Sequence, residues 1–494
     1  RYYHCFADQK NSADYAYAFG VNEFVLCASA YQPWIDKYPG STAGGKHYCL
    51  NRNNTYWEYS RPFWDYQARC SALMRKGVPV VDICVYLGQN PPVKLVTYRL
   101  PEIPEGYDFD VCTAEALVGR TMAVDGRLTL PTGISYSLLV IQRNNDMPLH
   151  VLRHIAGLVK GGVIVCGPRP DGSDSLKDKA ESEEYRALVD ELWGELTTVS
   201  QIRKVGKGKI YENIPLSEVL KYENIRPDIA IKSGNTAKDK VYFVHRRLSD
   251  ADVYFLNNHS DRAFHDTIRL RTDARQAEYW DAVTGQRYMI PVKASGEKGM
   301  LLNLTLAPRE SGFIVTSNNQ ATGLLPRIAD VQETITPIEG SWNVYFDPRW
   351  GGPGKVVFDE LIDWTVHADT GIRYYSGTVV YHKELNLAMP AQNERLLLRF
   401  PRLGSLARVW VNGKEVVTVW CSPWEADITS YVHEGKNNLK IEVVNSLMNR
   451  MIGDASLPES ERFTYAYPQI ATPTDKLVPS GIMEQLNLVY RQCQ

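Results

Sequence analysis

The sequence predicts a multidomain chain that runs from α/β architecture in its first half to all-β architecture in its second. Two patterns carry that reading. Up to about residue 246, helical spacings alternate with short runs that are apolar almost throughout, as in parallel strands covered on both faces by helices. Beyond residue 241 helical spacing nearly vanishes, and short alternating runs between turn residues replace it, the pattern of antiparallel sandwiches.

Element by element, residues 13–19 carry small apolar residues at helical spacing and Gly20 stops them. Residues 21–28 (VNEFVLCA) follow as a strand-like run, completing one helix-to-strand unit. A loop rich in Gly, Asn and aromatic residues spans 31–57, and a helix over 61–75 closed by Gly77 comes next. Loops longer than about 15 residues are usually functional or disordered, and the density of Tyr and Trp here argues against disorder. The runs 80–86 (VVDICVY), 137–142 (SLLVIQ) and 163–166 (VIVC), with an amphipathic helix over 149–160 capped by Gly161-Gly162, predict a doubly wound, flavodoxin-like parallel sheet. Runs at 241–245, 253–257, 267–271, 277–281, 288–292 and 313–316 predict a small β-sandwich. A second all-β module has its clearest strands at 379–385, 395–400, 407–412, 415–419 and 439–444, with Asn412-Gly413 as a hairpin turn. The expected divisions are 1–76, 77–246, 247–318, a linker over 319–339, and 340–494.

Composition removes several classes. The 494 residues hold 55 Lys plus Arg against 57 Asp plus Glu, a net charge of −2, so no global field exists to hold a polyanion. Hydrophobic residues at 44% and charged residues at 23% are the balance of a folded chain able to bury a core. No apolar stretch approaches the roughly 18 residues of a membrane span. Nine cysteines without CxxC pairing read mostly as buried thiols. The chain opens at Arg1 without the basic and apolar regions of a signal peptide.

Motif reading is mostly negative. GxGxxG after a strand, the P-loop, HExxH and GxSxG are all absent, and 133–137 lacks the last Gly of a nucleophile elbow. His150 and His154 have the spacing of a zinc pair, but Val151 stands where HExxH needs Glu, so ordinary histidines are the better reading. The acidic stretch 171–178 does not fit an EF-hand and reads as a solvated loop. Asp82, within an apolar run, is a candidate site residue or one half of a structural ion pair, and the ion pair is the better reading.

The loop after the first strand-like run holds the candidate binding residues. Tyr31, Gln32, Trp34, His47, Asn51, Arg52 and Trp57 set aromatic platforms beside planar hydrogen-bonding groups. That mixture suits a sugar, with its apolar CH face and ring of hydroxyls; packing against a neighbouring domain is the alternative. His245, at a strand end beside two arginines, is a further candidate, with a surface basic cluster as its alternative. Glu58 is the one carboxylate at the aromatic end of the loop; glycoside hydrolysis needs two, and Glu58 equally suits a helix N-terminus.

Several of these segments have a familiar look. The stretch 20–34, 51–57 (NRNNTYW) and 66–70 (YQARC) resemble the end of the catalytic (β/α)8 barrel of glycoside hydrolase family 106, the α-L-rhamnosidases. Residues 104–110 (PEGYDFD), Leu130-Pro131 and 136–141 are similar to that family's flavodoxin-like domain, and His245-Arg246, 254–258 (YFLNN) and 280–285 (WDAVTG) to its small β-domain. Residues 375–378 (YSGT), 411–414 (VNGK) and 449–454 (NRMIGD) resemble the family 2 type sugar-binding, galactose-binding-like jelly roll.

The resemblance implies an inverting hydrolase of terminal α-L-rhamnosyl residues on plant or microbial polysaccharides or glycosides. It implies a glutamic acid as acid, a second acidic group as base about 6.5–9.5 Å away, and a calcium ion. A whole barrel needs about 250 residues. The expectation is therefore that Arg1 is not the natural start, that catalytic acids and calcium ligands lie upstream, and that these residues alone are inactive. A periplasmic or secreted bacterial protein is expected. Two alternatives stand beside this: a non-catalytic carbohydrate-binding or scaffold protein using Trp410, Trp420 and Trp424, and a family 2 type β-galactosidase or glucuronidase. Burial of those tryptophans would favour a structural module; two of them lining a groove would favour binding.

Overall fold

The computed structural model describes residues 4–27, 30–45, 50–88, 100–142, 147–170, 172, 179–196, 198–234, 240–296, 299–319, 323–327 and 332–492. Sheets dominate, and among the described residues no helix is long and apolar enough to cross a membrane.

Two helices open the chain, α1 (Phe6–Ala18) and α2 (Arg61–Met74). α1 starts seven residues before the apolar spacing at 13–19 suggests. Its N-terminus is closed by Asp8, whose carboxylate accepts from the Cys5 amide at 2.9 Å. Its buried face carries Lys10 and Asp14, paired at 2.7 Å, which a polarity pattern assigns to solvent. Of the strand expected over 21–28, the described residues 21–27 form none. Residues 21–27 take no regular secondary structure, pair with no strand among the described residues, and leave Val25 97% exposed.

The α/β unit is one sheet of β1 (Ile83–Tyr86), β2 (Phe109–Cys112), β3 (Leu138–Ile141), β4 (Ile164–Cys166), β5 (Gln201–Val205) and β6 (Gly208–Glu212), in the order β5-β6-β4-β3-β1-β2. Every pair is parallel except β5 with β6. The amphipathic helix α3 (Leu149–Lys160) covers one face with its apolar side. Such continuous apolar strands need cover on both faces.

The first sandwich comprises β7 (Val241–Arg247), β8 (Ala251–Asn258), β9 (Phe264–Leu270), β10 (Gln276–Trp280), β11 (Arg287–Ile290), β12 (Val292–Ala294), β13 (Met300–Leu306) and β14 (Ser311–Ser317). One sheet runs β11-β10-β14-β8-β7 and takes Val78–Pro79 at its edge; the other pairs Ile229–Ile231 with β9, β13 and β12. A division at 246/247 therefore falls inside β7. The cause is pairing: β7 is hydrogen-bonded to β8 along its whole length.

In the second sandwich, β15 (Glu333–Pro337), β19 (Glu394–Arg399), β22 (Glu425–Asp427) and β24 (Asn487–Gln492) form a sheet in the order β15-β24-β19-β22. β16 (Trp342–Phe346), β17 (Gly354–Phe358), β18 (Thr378–Leu387), β20 (Leu406–Val411), β21 (Lys414–Val419) and β23 (Gly435–Val444) form the facing sheet, β17-β16-β18-β23-β20-β21. Because β15 pairs with β24, residues 333–337 are sheet and not linker.

Candidate functional site

The aromatic loop is held by its own polar side chains. Gln32 bridges the backbone of Ser41 like a strand partner, its Nε2 donating to the carbonyl at 2.8 Å and its Oε1 accepting from the amide at 2.9 Å. Arg52 donates to the carbonyls of Gln32 and Trp34, each at 3.3 Å, and the Asn51 carboxamide accepts from the Asn53 amide at 2.9 Å. Gln32, Asn51 and Arg52 thus spend polar groups on the loop itself. Asn51 Nδ2 and Asn53 Oδ1 are nonetheless buried and meet no partner among the described residues, so both retain capacity for a bound group.

The loop is also docked on the second sandwich. Pro39–Ser41 pairs in parallel with Tyr465–Tyr467, Trp34 meets Tyr465 edge-on at 5.0 Å, and Lys37 lies over the Tyr465 ring at 4.3 Å. Downstream, Arg408 of β20 sits over the Tyr59 ring at 4.2 Å and donates to the Glu58 carbonyl at 3.3 Å. Tyr59 also reaches Glu442 of β23 at 3.5 Å. What remains free to meet a ligand is Tyr31, 83% exposed, Trp57, 37% exposed, and the exposed side chain of Glu58.

Residues 1–293 match the family described as alpha-L-rhamnosidase, glycoside hydrolase family 106, and residues 329–490 match the sugar-binding domain of glycosyl hydrolases family 2. The chain belongs to glycoside hydrolase family 106. A solved rhamnosidase from Novosphingobium sp. PP1Y superposes on 99% of this chain with a TM-score of 0.89 at 28% identity, the match covering 46% of that protein. A Formosa agariphila protein named "Putative beta-glucuronidase" is 22% identical over 92% of this chain and 57% of its own length. The chain thus spans about half the length of these relatives.

In this family 106 chain the structure separates the remaining candidates from the loop. His245 is a correction: it is fully buried, with Nδ1 at 2.9 Å from Asp228 and Nε2 at 3.0 Å from Asp252, and is stacked on Tyr254 at 3.9 Å. No face of the ring is left for a sugar. Burial pulls the imidazole down, but the two carboxylates outweigh it and raise its pKa. Asp228 continues through Arg271 (3.1 Å) to Asp82 (2.8 Å), so Asp82 is the ion-pair member that its apolar surroundings predict. His47 and the stretch 171–178, apart from Gly172, lie outside the described residues. His154 accepts or donates a 3.0 Å bond with Thr121, and no group of three metal-ligating side chains occurs among the described residues.

One perturbed group escaped the sequence reading. The Asp108 carboxyl is pushed up to about 7 by burial, reinforced by the charges of Asp110, Asp228 and Asp82. A single acid between a tyrosine and a phenylalanine carries no pattern that would reveal it. The three tryptophans divide. Trp420 is buried, edge-on to Phe63 and Tyr66 at 5.7 and 5.8 Å; Trp424 packs partly on the core; Trp410 lines a groove.

Proposed function

We propose that these residues are the supporting half of an inverting α-L-rhamnosidase, and that Tyr31 and Trp57 form one wall of its sugar pocket, with Trp34 holding the loop against the second sandwich. The observation that carries this is the match of residues 1–293 to the rhamnosidase family, supported by the rhamnosidase neighbour over nearly the whole chain. On this reading residues 1–76 close a catalytic barrel. The exposed run 21–27 is then the strand that takes its neighbour from the remainder of the relatives' length. The parallel sheet, the small sandwich and a galactose-binding-like jelly roll brace that wall. On this reading the acid, the base and any calcium ion come from the remainder of the relatives' length, of which this chain spans about half. Glu58 supplies charge at the rim.

An inverting reaction needs the two carboxyl groups far enough apart, about 6.5–9.5 Å, to admit the attacking water. The loop's contribution is to hold the sugar's apolar face on aromatic rings while its rigid backbone fixes their angle. A β-glucuronidase is the second reading, favoured by the name of the Formosa relative. A panel of nitrophenyl glycosides on the full-length protein separates them. Release from the α-L-rhamnoside, with the β-anomer of rhamnose as first product by proton NMR, is expected. Release from the β-glucuronide alone would replace the first reading by the second.

A further inference from the structure

The outer face of the six-stranded sheet in the second sandwich carries a groove of about 520 Å³. Its floor is a row of cross-strand neighbours: Asn343 on β16 faces His382 on β18, His382 faces Lys440 on β23, and Lys440 faces Trp410 on β20. Four adjacent strands at about 4.8 Å spacing make this row about 14 Å long. Alternation turns all four side chains away from the core, and Glu384, Asn438 and the hairpin at Gly413 line the groove further along.

The polar groups in the groove fall into two sets. The charged ones are already paired: Lys440 with Glu442 at 2.9 Å, Glu384 with Lys436 at 3.0 Å, and Lys383 with the carbonyls of Gly340 and Ser341 at 2.6 and 2.9 Å. The side chains of Asn343, His382 and Asn438 make no hydrogen bond with the described residues. Burial and the Lys440 charge lower the His382 pKa, which keeps the imidazole neutral. Trp410 adds a half-buried ring whose indole N–H is buried and meets no acceptor among the described residues. A buried donor left unmet is destabilising until something accepts from it.

We propose that this groove binds a neutral oligosaccharide, with Trp410 as its stacking platform and Asn343, His382 and Asn438 as its hydrogen-bonding row. An aromatic ring beside uncharged donors and acceptors matches a glycan chain, and the two lysines among the described lining residues are already engaged, Lys440 by Glu442 and Lys383 by two carbonyls. The Lys440 ammonium covers one face of the ring at 4.2 Å, and Glu442, at 2.9 Å, is the partner that retains it when a sugar takes its place. The groove also adjoins the aromatic loop. Arg408 and Glu442, which hold Tyr59, lie two residues from Trp410 and Lys440 on the same sheet face. The inference rests on the carbohydrate-acting reading, but its test involves no hydrolysis, so each can fail alone.

The test is calorimetric titration of this chain with cellohexaose, xylohexaose, mannohexaose and hexagalacturonate. At least one neutral hexaose should bind with Kd below about 1 mM, more tightly than hexagalacturonate. Trp410→Ala should weaken that binding by about tenfold or more. The double variant Asn343→Ala/His382→Ala removes only side chains without internal partners, should keep the parent melting temperature, and should weaken binding about threefold or more. Failure of all three neutral hexaoses to bind, tighter binding of hexagalacturonate, or binding unchanged in the double variant would each overturn the assignment.

Discussion

Two seams join the parts of this chain, and they are built from opposite materials. Where α1 and α2 meet the two sandwiches, the contact is aromatic: Phe6, Tyr17, Phe63 and Tyr66 pack with Phe255 and Phe313 of one sandwich and Trp420 of the other. Its charges are few and sealed, with Lys10 1% and Asp14 0% exposed. Where the α/β unit meets the first sandwich, a chain of charges crosses instead, Asp82–Arg271–Asp228–His245–Asp252, and Arg271 keeps 27% of its side chain in solvent. A seam held by apolar area responds to cavities and unpaired charge. One held by ionised groups also responds to pH and salt.

The largest expected effect therefore lies in the apolar seam. Asp14→Ala leaves the Lys10 ammonium buried, with Ser311 Oγ at 2.8 Å as its remaining close partner. An uncompensated buried charge costs about 3–5 kcal/mol, whereas replacing both partners by apolar groups is close to neutral. Urea unfolding of Asp14→Ala should show that loss, and Lys10→Met/Asp14→Leu should restore most of it. If the double variant is as unstable as the single one, the pair holds the seam by its own attraction and the comparison is wrong.

The second effect distinguishes the seams by pH. His245 has its pKa raised, so its contribution is complete below about 6.5, the unfolded imidazole value, and is lost as pH rises through the folded value. Asp108, pushed up to about 7, loses its contribution in the same direction, as pH rises from about 4. Asp252 runs the other way. Burial raises it, but the His245 bond prevails and lowers it to about 2, so its contribution is present above about 4 and lost toward pH 2. The charged seam should weaken from pH 6 to pH 9. His245→Gln should lose about 2 kcal/mol at pH 6, from two hydrogen bonds to charged groups, and less at pH 9. Melting temperatures of parent and variant across that range check it: parallel curves would mean that His245 is neutral in the folded state.

These seams also mark how far the sequence could be read. The parallel strands at 83–86 and 138–141 and the antiparallel run after 241 were legible because their period is local. Tertiary pairing is not local. Val241–Arg247 belongs to the sandwich through β8, and 333–337 is sheet through β24, some 150 residues away. Asp82 was recognisable because a carboxylate in an apolar run demands a partner. His245, beside two arginines at a strand end, looked like a surface group, and only the arrival of Asp228 and Asp252 buries it. The loop's residue types were visible from composition, but Gln32 and Arg52 spend donors on the loop's own backbone carbonyls, a choice fixed by the chain's path.

The smallest effect tests geometry with charge held constant. Arg271 uses its whole fork: Nη1 and Nη2 reach Asp82 at 3.2 and 2.8 Å, and Nε reaches Asp228 at 3.1 Å. A lysine carries the same charge as a point and cannot hold two carboxylates in fixed planes. Arg271→Lys should therefore cost about 1 kcal/mol, less than His245→Gln, since its partners stay neutralised and its site is partly solvated. Because the charge facing Asp228 is unchanged, His245 keeps its environment. The pH curve should shift down without flattening, and 1 M salt, where the screening length is about 3 Å, should narrow the gap between parent and variant. A flattened curve would show instead that the Arg271 fork sets the protonation of His245, and would make the charged seam one cooperative unit from Asp82 to Asp252.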